Sequence, residues 1–305
     1  MARKQNHSRV RTCVIFNPAA RGNKARRFRR HLDDMAVGVA FKATAGPGDA
    51  QRLAAEAVEE GYEVVVAAGG DGTLNEVLNG IAAVPDGLEQ VRLGVLPLGT
   101  VNVFARELNI SLNLRRAWEI LRRGNETRID LASAEFSVHD RTEKRYFAQL
   151  AGAGLDARAI ELVSWQLKKK AGPLAYVVAG LRAMFETKAK TVIRVGEKTY
   201  EGELVMVGNG KFYGGSFAAM PAADLQDGLL HVCVFPRVDL PSLLRCVPHL
   251  LFRQRFSEQV VQRFQATTFT MKGRGSVAFE LDGEWVGHLP ATFSVEPRRL
   301  RVVVP

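Results

Sequence analysis

A glycine-rich segment with a single aspartate lies between an apolar run and an amphipathic run, near residue 70. Residues 64–66 are all valine, which is typical of a buried strand. After the glycines, apolar residues recur at the spacing of one helix face: Leu74, Val77, Leu78 and Ile81. The glycines therefore lie where a strand passes into a helix, a place that exposes backbone N–H groups at the positive end of the helix dipole.

Phosphate is the ligand that this arrangement favours. Gly69, Gly70 and Gly72 let a phosphate approach the backbone because they carry no Cβ. Asp71 would repel that phosphate unless a cation bridges the two, so we predict polyphosphate with Mg²⁺. The alternative is a tight Gly-Asp-Gly turn without a ligand. The chain has neither a P-loop sequence nor the glycine spacing of a dinucleotide-binding fingerprint.

Two further turns that could contact phosphate follow predicted strands. Asn17 and Pro18 open a turn with exposed backbone donors, and Arg21 beyond it can meet phosphate oxygens. Thr100, which follows Gly99 in the second turn, can hydrogen-bond a sugar or a phosphate. Each turn also has a structural alternative. The first is then an ordinary Asn-Pro turn without a ligand, and in the second Thr100 caps the N-terminus of a helix.

Two pairs of carboxylates occur later in the chain. Asp224 and Asp227 lie in one loop, at a spacing that suits either a hard cation or an Asp-Gly hairpin turn. Asp282 and Glu284 flank Gly283 at the end of a predicted strand. Because residues i and i+2 of a strand point to the same side, both carboxylates would reach one site and serve proton abstraction and Mg²⁺ handling. A solvated turn is the alternative for Asp-Gly-Glu.

An alternation of strands and helices over residues 1–130 would position the first group of motifs. We predict strands at 11–16, 37–44, 64–66 and 91–96. Helices are predicted at 24–35, from Asp49 as N-cap to Gly61, and from the glycine-rich segment to Ala83. Such alternation is typical of an α/β domain with a parallel sheet, on which ligands bind beyond the carboxyl ends of the strands.

The pattern changes after residue 130. Short alternating runs predict a mainly antiparallel, β-sandwich-like domain over residues 131–305, with strands at 146–151, 190–195, 204–208, 229–235, 266–271, 277–281 and 300–304. Helical insertions are predicted around residues 174–185 and around residues 240–251, where Pro248 would bend the helix. A short linker near residues 128–132 indicates two domains that face one another across a cleft.

Composition and charge narrow the class of protein. The chain has 305 residues, 47% of them hydrophobic, and no apolar stretch of the length of a membrane span or a secretory signal, so we expect a cytoplasmic protein. The net charge of +10 is concentrated in residues 1–30, which indicates either an anionic partner such as lipid headgroups or a disordered, solubilising tail. Cys13 and Cys233 lie in apolar runs and are interpreted as buried residues.

In their order along the chain, these motifs resemble those of the bacterial lipid kinases of the diacylglycerol kinase catalytic-domain family, which is related to the NAD kinases. The matching segments are Asn17-Pro18, the run Gly69–Glu76, the run from Pro97 to Arg106, Asp130, the run from Gly152 to Ala157, residues 221–229, and Asp282-Gly283-Glu284. The resemblance implies an α/β nucleotide domain followed by a β-sandwich-like domain, with ATP and Mg²⁺ between them.

The resemblance also implies roles for individual residues. It assigns the catalytic base to Glu284 ahead of Asp282. Asp71, which we predict from its charge to handle Mg²⁺, completes the catalytic set. It assigns a structural Mg²⁺ to Asp224, Asp227 and the carbonyl oxygen of Leu229. The nucleotide-binding set comprises Asn17, Thr44, Gly69, Gly70, Asp71, Gly72, Thr73, Leu74, Asn75, Gly99 and Thr100.

The resulting prediction is an ATP- and Mg²⁺-dependent lipid kinase that phosphorylates a hydroxyl of a diacylglycerol-like lipid. The alternatives are an NAD kinase-like phosphotransferase and a non-catalytic protein that binds nucleotide or acidic membranes. We expect peripheral contact with an anionic membrane at its inner surface, in part through Lys168-Lys169-Lys170, and no nucleic-acid partner. The sequence indicates neither the acceptor lipid nor the oligomeric state.

Overall fold

The computed structural model describes residues 10–18, 38–139, 141–155, 157–158, 189–239, 241–242 and 256–305. The predicted helix at 24–35, the segment Lys168-Lys169-Lys170 and the predicted helical insertions, apart from residues 241–242, lie outside these ranges. Contacts divide the chain into two compact units. Unit 1 comprises Met1–Arg128 and Leu300–Pro305, and unit 2 comprises Ile129–Arg299.

Unit 1 contains a parallel sheet. Its strands β1 (Thr12–Phe16), β2 (Val39–Ala43), β3 (Val64–Gly69) and β4 (Arg92–Pro97) have the spatial order β2-β1-β3-β4. β1 pairs in parallel with β2 and β3, and β3 pairs in parallel with β4. β3 is buried along its whole length, as expected for a strand in the middle of a covered sheet. The predicted α/β organisation is confirmed.

The helices of unit 1 among its described residues are α1 (Asp49–Glu59), α2 (Asp71–Ala83), α3 (Gly87–Gln90), α4 (Val103–Glu107) and α5 (Leu114–Arg123). α2 ends at Ala83 as predicted, and the face that its apolar spacing predicted is buried. α1 packs against α2 and buries Leu53, Ala54, Ala57 and Val58. Within the described residues, none of the helices has both the length and the apolar character that crossing a membrane requires.

The start of α1 differs from the prediction. Gly48, in the left-handed conformation, is the N-cap residue, and Asp49 is already helical. The prediction that Asp49 is the N-cap residue of this helix was therefore wrong. Its Oδ2 instead accepts the N–H of Ala45 at 2.7 Å, which closes the loop that leads into the helix. Gly61 follows the end of α1 in the left-handed conformation, as predicted.

Unit 2 is built from antiparallel strands. In chain order these are β5 (Glu126–Val138), β6 (Arg141–Phe147), β7 (Leu150–Gly154), β8 (Lys190–Val195), β9 (Lys198–Gly202), β10 (Leu204–Gly208), β11 (Phe212–Tyr213), β12 (Phe217–Ala218), β13 (Leu230–Phe235), β14 (Gln262–Ala266), β15 (Thr268–Arg274), β16 (Ala278–Leu281), β17 (Glu284–His288) and β18 (Ala291–Val303). The first residues of β5 and the last residues of β18 belong to unit 1.

Most strands of unit 2 form a sandwich, while β11 and β12 form a separate two-stranded sheet. One sheet has the order β14-β13-β10-β7-β16-β17 with antiparallel neighbours. In the other, β8 pairs with β9 and β15, β15 pairs with β18, and β5 pairs with β6 and β18. Buried aromatic rings lie in the core between the sheets, such as Phe136 and Phe279 with ring centroids 5.1 Å apart. The predicted β-sandwich-like fold is confirmed.

Several strand limits differ from the predictions. The predicted strand at 146–151 is divided between β6 and β7, and the one at 266–271 is divided between β14 and β15. β18 is much longer than the predicted strand at 300–304. Its last residues pair with unit 1, where Val302 lies parallel to Leu93 of β4. The predicted domain 131–305 had included these residues, whereas their contacts place them in unit 1.

Candidate functional site

The predicted nucleotide-binding residues lie at one edge of the sheet of unit 1. They occur at or shortly after the last residues of β1, β2, β3 and β4: Asn17, Thr44, Gly69, Gly70, Gly99 and Thr100. The chain passes from β1 to β2 on one side of β1 and later to β3 on its other side. This edge therefore includes the point at which the strand order reverses, where open parallel sheets bind their ligands.

Hydrogen bonds join the loops at this edge. Asn17 donates its backbone N–H to the Ala68 carbonyl at 3.1 Å and its Nδ2 to Thr73 Oγ1 at 3.3 Å. The N–H groups of Leu98 and Gly99 both donate to the Gly69 carbonyl, at 2.9 and 3.0 Å. The loops that follow β1, β3 and β4 are therefore held together as one structure.

Gly70 and Gly99 are in backbone contact. A Cβ on Gly99 would lie 2.5 Å from the Cα of Gly70 and 2.8 Å from Oδ1 of Asn102, which is too close for any side chain. A Cβ on Gly70 would lie 3.4 Å from the Cα of Gly99, which is an ordinary contact, and the φ of Gly70 is −95°. Packing therefore requires glycine at 99 but not at 70, where glycine leaves the backbone accessible to a ligand.

The first turn of α2 has no side-chain cap. Its N-cap residue is Gly70 in an extended conformation, and no side chain accepts a capping hydrogen bond there. An uncapped helix start carries backbone donors and the positive end of the helix dipole, so an anion is favoured there. The side chains of Leu74 and Asn75 are buried, and Asn75 Oδ1 accepts from Asn79 Nδ2 at 3.1 Å. The N–H of Leu74 donates to the Gly70 carbonyl at 3.0 Å, so the predicted contacts of Leu74 and Asn75 with a nucleotide stay a prediction.

Asp71, the first residue of α2, directs its carboxylate to a neighbouring helix. Its Oδ1 accepts the N–H of Phe104 at 3.3 Å, in the first turn of α4. Burial raises the pKa of the Asp71 carboxyl above its usual range, and backbone N–H groups of Val103, Phe104 and Asn102 partly offset this effect. A nearby cation would stabilise the ionised form of such a carboxylate, and the Mg²⁺-handling role of Asp71 stays a prediction.

Glu76, also on α2, caps another helix. Its Oε1 accepts the N–H of Gly48 at 2.9 Å, and its Oε2 accepts the N–H of Ala50 at 3.0 Å. The N-cap residue of α1 supplies no side-chain cap, so Glu76 satisfies these donors at the end of the loop that begins with Thr44. The sequence marked Glu76 only as part of a motif, and nothing in that motif indicated its partners.

Thr100 does not cap a helix. α4 begins at Val103, and its N-cap residue is Asn102, which has a φ of 53° in the left-handed region. Asn102 Nδ2 donates to the Gly99 carbonyl at 2.7 Å and thereby closes the turn. Thr100 is exposed at the edge of the sheet. The capping alternative for Thr100 is therefore wrong, and its contact with a nucleotide stays a prediction.

In unit 2, Asp282 and Gly283 form the turn between β16 and β17. Both residues have a positive φ, 50° and 85°, and Leu281 pairs with Glu284 across the turn. Two consecutive residues with positive φ are typical of a type I′ turn, for which Asp-Gly is a preferred sequence. The argument that Asp282 and Glu284 share one face as i and i+2 of a strand was wrong, because the chain reverses direction between them.

The carboxylate of Asp282 is bound by the protein backbone. Its Oδ2 accepts the N–H of Ala148 at 2.8 Å, and its Oδ1 accepts those of Gln149 and Leu150, each at 3.0 Å. These bonds attach the β16–β17 hairpin to the connection between β6 and β7. Glu284, in contrast, is the first residue of β17 and is exposed. Of the two predicted bases, Glu284 is therefore the better placed to receive a proton from a substrate.

The loop that contains the predicted structural metal ligands is organised by Asp227. Its Oδ1 accepts the N–H of Leu229 at 2.9 Å, and its Oδ2 accepts the N–H of Asp224 at 3.2 Å and lies 2.8 Å from His231 Nε2. Asp224 Oδ1 accepts the N–H of Gln226 at 3.0 Å. These oxygen donors are of the kind that Mg²⁺ takes. In the ranges that the structure describes, no group of three or more His, Cys, Asp or Glu side chains is arranged for a metal.

Asp130 anchors the same loop from its buried side. The residue is 1% exposed, and its Oδ2 accepts the N–H of Gly228 at 2.6 Å. Its own N–H donates to the Leu225 carbonyl at 2.7 Å, and its Oδ1 accepts the N–H of Arg298 at 2.8 Å. The sequence indicated Asp130 only through the family resemblance. Its role in holding this loop in place emerges from the structure.

Solved structures share this fold of an α/β domain followed by a β-sandwich. The crystal structure of a putative diacylglycerol kinase from Bacillus anthracis strain Sterne superimposes with a TM-score of 0.74 and 22% sequence identity, covering 97% of each chain. A further structure of a putative diacylglycerol kinase from the same strain gives a TM-score of 0.75, also with 22% identity and 97% coverage of each chain. The fold is therefore that of the diacylglycerol kinase-like proteins.

Sequence comparisons identify the family. Residues 11–134 match the model of the diacylglycerol kinase catalytic domain, and residues 149–304 match that of the YegS C-terminal NAD kinase beta sandwich-like domain. The chain is 29% identical to the diacylglycerol kinase of Staphylococcus saprophyticus, over 97% of this chain and 96% of that protein. It is 30% identical to that of Staphylococcus aureus strain MRSA252, over 97% and 93%. The chain belongs to the diacylglycerol kinase family and is a lipid kinase, which confirms the predicted family and enzyme class.

Proposed function

We propose that this lipid kinase transfers the γ-phosphoryl group of ATP, in the presence of Mg²⁺, to a hydroxyl of a diacylglycerol-like lipid. The observation that carries the proposal is the start of α2, where an uncapped helix N-terminus follows a central parallel strand and begins at an accessible glycine. The relatives that share about 30% of their sequence with this chain are named diacylglycerol kinases, which supports the acceptor class.

The nucleotide would be held by the loops at the carboxyl edge of the sheet of unit 1. Gly69, Gly70 and the backbone of the first turn of α2 would receive the phosphates. Asn17, Thr44 and Thr100 border the same edge and would contribute polar contacts. The hydrogen bonds that join the loops fix this surface in advance, so little reorganisation accompanies binding.

The acidic residues would have separate roles. The Mg²⁺ that accompanies ATP would neutralise part of the phosphate charge, and Asp71 would orient this ion. Glu284 would accept the proton of the lipid hydroxyl as that hydroxyl attacks the γ-phosphorus, since its side chain is exposed and Asp282 is bound by backbone donors. A second, structural Mg²⁺ would be held by Asp224, Asp227 and the Leu229 carbonyl, and Asp130 and His231 would orient that loop.

We further place the enzyme in the cytoplasm, in peripheral contact with the anionic inner surface of a membrane. A kinase whose acceptor is embedded in a bilayer must reach the lipid surface, and the basic residues among the first 30 would be attracted to anionic headgroups. Binding to vesicles should then increase with anionic lipid content and decrease with added salt.

A transfer assay with γ-labelled ATP tests the proposal. The acceptors are diacylglycerol, monoacylglycerol, phosphatidylglycerol, a sphingoid base and ceramide in mixed micelles, together with NAD in solution. We expect labelled product with diacylglycerol or one of the other glycerol lipids, and loss of label transfer without Mg²⁺. Label on NAD alone would support the NAD kinase-like alternative, and transfer that is independent of Mg²⁺ would contradict the metal requirement.

A further inference from the structure

Helix α5 of unit 1 has a basic face that none of the roles above uses. Ala117 and Ile120 are buried, and the helix packs against β4. The side toward solvent contains one exposed acid, Glu119, and four exposed arginines: Arg115, Arg116, Arg122 and Arg123. We call these four arginines the α5 arginine face. Four arginines and one glutamate give this side of the helix three net positive charges.

The α5 arginine face is one continuous patch. With about 3.6 residues per turn, positions 115, 116, 122 and 123 fall within about 120° of the helix circumference. With a rise of about 1.5 Å per residue, they extend over about 12 Å along the helix axis. The patch is longer than a single phosphate group, so it fits a surface that presents several anions side by side.

The charges of this face are not neutralised by neighbours. Within the described residues, none of the four side chains has a hydrogen-bond or ion-pair partner. Arg115 and Arg116 donate only their backbone N–H groups, to Asn113 Oδ1 at 3.1 and 3.3 Å. Arg128, a few residues after the helix, does form an ion pair, with Glu89 at 2.7 Å. The α5 arginine face therefore remains available to an anion from outside this part of the chain.

Two of the arginines are unfavourable for the helix itself. The N-terminal end of a helix carries a partial positive charge and favours acidic side chains, yet the first turn of α5 contains Arg115 and Arg116 and no acid. Arg122 and Arg123 lie in the last turn, where the helix dipole favours them. The stability of α5 therefore explains the second pair of arginines but not the first, which an external anion would stabilise.

We propose that the α5 arginine face docks on the anionic surface of a lipid bilayer, which rests on the proposed function only in placing the acceptor lipid in that bilayer. The arginines lie on the convex surface of a helix, so each would meet a different lipid headgroup. Trp118, half-buried beside this face, is of a residue type that is enriched at membrane–water interfaces. Because α5 belongs to unit 1, docking holds the proposed nucleotide-binding unit at the lipid surface.

Cosedimentation of the full chain with vesicles, without ATP, tests the proposal. The vesicles contain phosphatidylcholine alone or with about one third phosphatidylglycerol. Arg115→Gln/Arg116→Gln should weaken binding to the anionic vesicles at least about tenfold, because each basic residue near such a surface contributes about a fivefold factor. Wild-type affinity in this folded double variant would overturn the proposal.

Two matched variants show whether position and charge cause the effect. Arg141→Gln/Arg194→Gln removes the same charge from exposed residues of β6 and β8 and should bind like the wild type. An equal loss in this control would attribute binding to net charge alone and overturn the proposal. Arg115→Lys/Arg116→Lys should also bind like the wild type, since attraction to headgroups depends on charge more than on guanidinium shape. A loss in the lysine variant would assign a specific phosphate site instead of a bilayer.

Transfer of label in neutral mixed micelles distinguishes this proposal from the proposed function. Arg115→Gln/Arg116→Gln should match the wild type there, because such micelles present no anionic surface. Absence of transfer by the wild type would contradict the proposed function, while the vesicle measurements would still decide the role of α5. Loss of micelle transfer in the variant would indicate damage to unit 1 and overturn the proposal. Loss of binding to a DNA duplex without loss of vesicle binding would assign the face to nucleic acid and also overturn it.

Discussion

The start of α2 and the β16–β17 hairpin contain the same residue pair, aspartate followed by glycine, in opposite surroundings. At Asp71 the pair begins a helix whose own donors lack a side-chain cap, and the half-buried Asp71 accepts the N–H of Phe104 in the first turn of α4. At Asp282 the pair forms a hairpin turn, and the carboxylate accepts the N–H groups of Ala148, Gln149 and Leu150. The first pair leaves a positive site open, whereas the second uses its carboxylate to hold two strand connections together.

This comparison distinguishes a carboxylate with a proposed role in catalysis from one that stabilises the fold. A carboxylate with a raised pKa next to an accessible helix N-terminus is suited to a cation and a phosphate, which is the role that we propose for Asp71. Asp71 also accepts backbone N–H groups at the start of α4, so what distinguishes Asp282 is its position in a hairpin turn, where its carboxylate fixes residues 148–150. Glu284, next to Asp282 in the sequence but exposed on β17, is then the proposed base.

The largest expected effect is that of Glu284→Gln. Removal of a general base lowers kcat by roughly 10²–10⁴-fold. Glutamine keeps the size and polarity of the side chain, and the residue is exposed, so the melting temperature should stay unchanged. Steady-state transfer of labelled phosphate gives kcat. Glu197→Gln, a change of an exposed glutamate in the β8–β9 turn, is the control and should keep full activity.

Asp71→Asn should lower kcat by about 10²–10³-fold, because orientation of the cation contributes several kcal/mol to transition-state stabilisation. Asparagine keeps an oxygen that can accept the N–H of Phe104, so the start of α4 should remain in place. Asp86→Asn, at an exposed residue before α3, is the matched control. Normal turnover in a folded Asp71→Asn protein would remove Asp71 from the mechanism.

The same variant has a pH signature. The raised pKa of Asp71 means that its contribution to stability is greatest at pH values below its ordinary pKa and is lost as the pH rises through the folded-state value. The stability of the wild type relative to Asp71→Asn should therefore decrease as the pH rises above about 3.8, the ordinary pKa of an aspartate. Thermal melts without nucleotide at several pH values measure this difference, and a constant difference would contradict the burial of the charged group.

Asp282→Asn should show the reverse behaviour, with reduced stability and retained chemistry. Asparagine offers one acceptor oxygen where the carboxylate offers two, so the N–H of Ala148 or those of Gln149 and Leu150 lose their partner. Hydrogen bonds to charged groups contribute about 1.5–3 kcal/mol, which urea denaturation would detect. If Asp282→Asn loses kcat and Glu284→Gln does not, the proposed roles of the two residues are exchanged.

The smallest expected effect concerns the loop 224–229. If Asp224 and Asp227 hold a structural Mg²⁺, Mg²⁺ at about five times its dissociation constant would add about 1 kcal/mol of stability, and a chelator would remove it. Thermal melts with and without chelator, in the absence of ATP, give the response. The double variant Asp224→Asn/Asp227→Asn should lose it. An unchanged response in that variant would show that the loop is only a turn.

The parts of the fold that the sequence predicted are those with local determinants. The limits of α2 follow from the spacing of its apolar residues and from its glycines, of which Gly70 precedes the helix and Gly72 lies in its first turn. β5 was missed because its central residues are buried without alternation, so a period of two does not occur there. The chain reversal at Asp282 was missed because an alternating strand was assumed to continue through a sequence that favours a type I′ turn.

The sequence predicted which segments form the candidate site but not how they are connected. Gly70, Asp71 and Thr100 were indicated by motif and by their position after strands. The contacts of Glu76 with Gly48 and Ala50 could not be predicted, because they depend on how two helices pack. The same holds for Asp130, whose partners Gly228 and Arg298 lie 98 and 168 positions away in the chain.

The central claim is that the accessible backbone at the start of α2 binds the phosphates of ATP, and calorimetric titration of Gly70→Ala with Mg·ATP tests it most directly. A Cβ at residue 70 meets Gly99 at an ordinary distance, so the variant should fold, yet its methyl group would stand where a phosphate approaches. Loss of a charge-assisted hydrogen bond, about 1.5–3 kcal/mol, would weaken binding about tenfold or more. Gly287→Ala, on β17, is the control and should bind like the wild type. Wild-type affinity in a folded Gly70→Ala protein would contradict the account.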